Sequence, residues 1–327
     1  MPTRLFDDDE TPPAGSRTIL PTVPPLSLDQ GLCALVVCLQ AALAAAGQTL
    51  SYARLMGLLG PAFMFRMAPG FPATAAVVDR QRYLTSVLCD LGWQPRLIAK
   101  PDKATLAEVV AAELGQGRPL LVQGWPPQPL DWALIFGLEG QELLGRWLGS
   151  GRGPQRGACA ADLVLALGAP NEPVETATGT AAALARAVTL LDESQKAFRV
   201  WADLLAAAMP YGPPLGRRDR VLAEQWLVQC LADARWAGQE FLQQSAELFP
   251  EAIAEGLDSA ADCCAALAEQ VEMLLVPSDA AGTGPWLEEA DWLGHRRDII
   301  VEVAAREAAL ADLLRRALDG AGAEYVE

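Results

Sequence analysis

The chain has 327 residues, about half of them apolar, and its 41 acidic against 25 basic residues give a formal net charge of −16. That apolar content can build a sizeable core and excludes global disorder, while the charge opposes binding to a nucleic-acid backbone. No apolar stretch reaches the ~20 residues needed to span a bilayer, and the acidic, Pro-rich start MPTRLFDDDETPPAGSRTILPTVPPLS lacks the basic and apolar regions of a secretory signal. A cytoplasmic, non-membrane protein is expected.

Residues 1–25 read as a loose tail or a strap laid over the surface. Ser27 or Asp29 can cap a helix running to about Ala46, with Gly47 ending it. Ser51 caps a second, short helix in SYARLMGLLG. The alternation in PAFMFRMAPGFP predicts a strand followed by a loop. QRYLTSVLCDLGW is helical and PRLIAK is a short strand. TLAEVVAAELGQG is an amphipathic helix with Thr105 as its cap and Gly115 or Gly117 as its stop. PLLVQGW, DWALIFGLEG and ELLGRWLG are strands of a meander, and the Gly-rich GSGRGPQRG (149–157) is a hairpin tip rather than a phosphate loop, because it lacks the GK[ST] ending. Residues 26–170 therefore read as one α+β domain, with its long helix first and its sheet late. Beyond NEPVETATG the apolar spacing becomes i, i+3, i+4, i+7 in four long segments separated by Pro- and Gly-containing breaks, so 171–327 reads as an antiparallel helical bundle of four or five helices.

Seven cysteines (33, 38, 89, 159, 230, 263 and 264) form an odd set without CxxC spacing, as expected of reduced thiols and not of a disulfide or metal framework. Neither a metal nor another cofactor is implied. Cys33, just after a Gly and at the front of an apolar helical run, has the position of a nucleophile, since a helix N-terminus favours the thiolate. The whole chain holds a single histidine, His295, in WLGHRRDI on a late helix. Carboxylates such as Glu302 and Glu307 lie among other charges and read as a solvated face.

Cys33, the stretch Ser51-Tyr52-Ala53-Arg54-Leu55-Met56-Gly57 with Gly60-Pro61-Ala62-Phe63, and the run Trp132-Ala133-Leu134-Ile135-Phe136-Gly137-Leu138-Glu139 carry a resemblance. Over about residues 26–150 the chain resembles the papain-like, C39-peptidase-like proteins related to the N-terminal domain of the butirosin-pathway acyltransferase. The resemblance implies a papain-like α+β domain in which the Cys heads the central helix. It also implies a His opening the strand of the late hairpin, an Asp or Asn orienting that His, and a Gln about six residues before the Cys. Here the position of the His holds Asp131 or Trp132, and that of the Gln holds Ser27, with Gln30 three residues from the Cys. A thiol without a cationic or basic partner is only a few per cent ionised at neutral pH.

Three readings follow. In the first, the chain is a catalytically degenerate papain-like protein with an accessory or sensing role. It binds a small, largely apolar molecule or a partner protein in a cleft around Cys33, walled by Tyr52, Phe63, Trp125 and Trp132. In the second, it is a cysteine acyltransferase or amidohydrolase in which Cys33 forms a thioester and His295, Asp131 or the substrate acts as base. In the third, it is a structural subunit whose bundle forms a homodimer.

Overall fold

The computed structural model describes residues 17–21, 23–67, 83–151, 153–206, 217–275 and 290–319. Most of the acidic tail, the 68–72 end of the expected strand and loop, Trp286, and the side chains of Trp292 and of Arg217–Arg220 fall outside what is described. The chain forms two compact units, residues 1–50 with 93–170 and residues 51–92 with 171–327. The segment 51–92, read above as part of the first domain, thus belongs with the helices.

The first unit is an α+β structure. With elements numbered along the whole chain, its strands are β1 (Arg17–Ile19), β2 (Arg96–Ala99), β3 (Leu120–Trp125), β4 (Gln128–Glu139), β5 (Glu142–Trp147), β6 (Gln155–Ala158) and β7 (Leu163–Ala166), and its helices are α1 (Ala34–Ala45) and α4 (Lys103–Gly115). The strands make one antiparallel sheet in the order β2-β7-β3-β4-β5-β6, with β1 beside the end of β4. The α4 helix buries Leu106, Val110 and Leu114 against Val122, Ala133, Ile135 and Val164 on one face. The α1 helix packs on β3 and β4 without entering that cluster, so it covers the opposite face. Its residues Ala34–Leu39 are all buried, which is why the segment reads as continuously apolar.

Four local expectations change. The helix expected from Ser27 is split: Ser27 and Gln30 form a capping box around a single 3₁₀ turn, Gly31 departs with φ 143°, and α1 begins only after Cys33. The cap of α4 is Asp102, whose side chain accepts from the Thr105 N–H; this holds its carboxyl below its ordinary range. The tail adds the strand β1 to the sheet, the end of the stretch read as a hairpin tip is part of β6, and the chain beyond it supplies β7. FMFRM is not a strand: a 3₁₀ turn covers Pro61–Phe63, and Phe63, Met64 and Phe65 are all buried, so its apparent alternation does not mark two faces.

The second unit contains α2 (Tyr52–Leu59), α3 (Leu84–Asp90), α5 (Thr176–Ala206), α6 (Arg217–Ala246), α7 (Glu251–Glu272) and α8 (Ala290–Asp319). Around the bundle α6 meets α7, α7 meets α8, and α8 meets α5; α2 and the 61–63 turn close the ring between α5 and α6. Ser51 caps α2 by accepting from the Arg54 N–H, and Gly60 ends it at φ 95°. Phe65 stacks on Phe198 at 4.4 Å and lies against Trp201, while Phe63 meets the edge of Phe241. Ser194 on α5 accepts the Phe65 N–H at 2.8 Å.

Two buried ion pairs cross this bundle. Arg235 on α6 donates to Glu307 on α8 at 2.5 Å, both side chains being 0% exposed, and also to the Ala62 carbonyl at 2.6 Å. Arg296 on α8 pairs with Glu224 on α6 and donates to the Leu274 carbonyl. In both pairs the partners are 72 positions apart, so α6 and α8 run in the same direction with the charges exchanged between two levels about three turns apart. Glu307 is therefore no solvated carboxylate: burial pushes its carboxyl up, against the opposing pull of Arg235.

Removing one partner of a buried pair strands the other charge, which costs ~3–5 kcal/mol, whereas apolar replacement of both is close to neutral. Arg235→Met alone is thus expected to destabilise the chain strongly in urea melts. Arg235→Met combined with Glu307→Leu should recover most of that loss, and an uncorrected double variant would refute the pair's role.

Candidate functional site

The head of α1 is built by a chain reversal. The Ser27 N–H donates to the Gln30 side chain at 2.9 Å, and the Ser27 hydroxyl accepts the Asp29 N–H, so the turn is closed before Gly31 redirects the backbone. Cys33 then becomes the N-cap residue, its carbonyl accepting the Val37 N–H at 3.0 Å. Its side chain stands where the unsatisfied N–H groups of a helix N-terminus favour negative charge, yet the residue is only 4% exposed.

Three further groups gather there. Cys38 is fully buried, and its thiol donates to the Trp132 carbonyl at 3.7 Å, tying α1 to β4. The Cys38 thiol is pushed well up, first by burial and then by the Asp131 carboxylate and Cys33. Both acidic groups therefore act on one sulfur. Asp131, half-buried, accepts the Trp132 N–H at 2.9 Å. Trp132 itself is buried and pairs in register with Gln123 on β3.

Of the residues singled out in the sequence, Cys33, Asp131 and Trp132 are linked within the first unit through Cys38, and Trp125 in the same unit is not among them. Trp125 is seven residues from Trp132, but it lies on the other face of the sheet. The register of β3 shifts between Gln123 and Trp125, where Gly124 has φ 77°, and this bulge turns Trp125 onto the face of Val122 and α4. There it is fully buried against the edge of Trp147, at 5.9 Å, so it cannot share a wall with Trp132. Tyr52 and Phe63 are in the helical unit. The Tyr52 hydroxyl donates to Asp233 at 2.6 Å, and Phe63 is part of the bundle core. His295 also belongs to that unit, exposed on α8 between Gly294 and Arg296.

Cys38 also stands at this site, although its only signal in the residues is its five-residue spacing from Cys33. Chemically, the set offers a thiol at a helix N-terminus, a second thiol held protonated, one carboxylate and an indole. A nearby carboxylate disfavours a thiolate, and an indole neither takes a proton nor supplies charge. Among the described residues, no group of three His, Cys, Asp or Glu side chains is placed to hold a metal ion, and no helix is long and apolar enough to cross a membrane.

The position of Trp125 has a measurable consequence. As a core residue, its replacement by Ala should cost ~3–5 kcal/mol in urea melts; a cost below ~1 kcal/mol, as for a surface substitution, would return it to a cleft wall.

Compared with known proteins, the chain matches no family model and no curated protein.

Proposed function

We propose that the chain is a catalytically degenerate papain-like protein of the C39-like kind, with an accessory or sensing role: it binds a small, largely apolar molecule at the head of α1. One observation carries this reading. Cys33 heads a buried helix packed on an antiparallel sheet, its neighbour Cys38 is acted on by Asp131 and donates to the Trp132 carbonyl, and Asp131 and Trp132 occupy the position for which the resemblance implies a histidine. A helix terminus alone lowers a thiol's pKa modestly, and nucleophilic catalysis needs a base in reach. Thiols, an indole and a single carboxylate suit an uncharged, apolar molecule better than an anion. A reducing, cytoplasmic setting is in keeping with cysteines of which none is joined in a disulfide.

Iodoacetamide labelling with peptide mapping tests the reading, using the exposed Cys89 as an internal standard. At neutral pH, Cys33 should be alkylated more slowly than Cys89. Selective, rapid alkylation of Cys33 well below pH 8 would overturn the reading in favour of a cysteine acyltransferase or hydrolase. Native mass spectrometry of the purified chain should show a non-covalent small-molecule adduct that Trp132→Ala weakens.

A further inference from the structure

We draw no further inference here: the strongest candidate, the exposed apolar patch formed by Trp236 on α6 and Met273 at the end of α7, where the Trp236 N–H donates to Glu272 at 2.8 Å, carries nothing because nothing in the structure shows what covers it.

Discussion

Arg235 has no water to solvate it, and the arrangement of the helical unit follows from how its charge is met. One nitrogen donates to Glu307 on α8 and another to the carbonyl of Ala62, so a single guanidinium joins two bundle helices to the turn that follows α2. Neither bond is strong once desolvation is counted, and a well-packed apolar core of equal volume would be as stable. What the charges add is discrimination. Sliding α8 along α6 by one turn would break both pairs, and reversing it would set Arg296 against Arg235 and Glu307 against Glu224. With the second pair, Arg296 and Glu224, oriented the other way round, only one direction and one register satisfy both levels. The turn bearing Phe63 and Phe65 is fixed by the same arginine, which is how a segment of early sequence is held in a unit made mostly of late sequence.

In the α+β unit the comparable constraint is the parity of the strands. A strand places successive side chains on opposite faces, and one extra residue reverses the order. The bulge at Gly124 does this between two tryptophans. Without it, Trp125 would lie with Gln123 and Trp132 on the side of α1, and both indoles could wall one cleft. With it, Trp125 fills the α4 core, and the site contracts to the small group where α1 meets β4. The carboxyl of Asp162 reinforces the bulge, since a side chain at position 124 would collide with it.

This division explains what could and could not be read from the residues. Long amphipathic periods announced the four long bundle helices, and runs of Val, Leu and Ile between turn residues announced β3, β4 and β5. Pattern reading failed where a residue's partner is distant in sequence. Glu307 looks like any exposed helical carboxylate until Arg235 is brought to it. FMFRM has the alternation of a strand, but its phenylalanines meet α5 and α6, more than a hundred residues later. Gly31 and Gly124 redirect the backbone at single positions that no period reveals. The candidate nucleophile was legible because its signal is local, a Cys at the start of an apolar helix, whereas the thiol of Cys38 gains its meaning only from the carbonyl of Trp132.

The helical unit is interrupted in the chain, since residues 51–92 are separated from 171–327 by most of the sheet. During synthesis, α2 and the aromatic residues after it leave the ribosome more than a hundred residues before the helices that bury them. Leu55, Leu59, Phe63 and Phe65 must therefore wait, exposed, while the sheet is completed around an unfinished loop. The interval is one in which a holding chaperone would have a defined target. It also makes the boundary near residue 170 a poor place to divide the gene, since a fragment ending there would carry the apolar half of an interface whose other half it lacks.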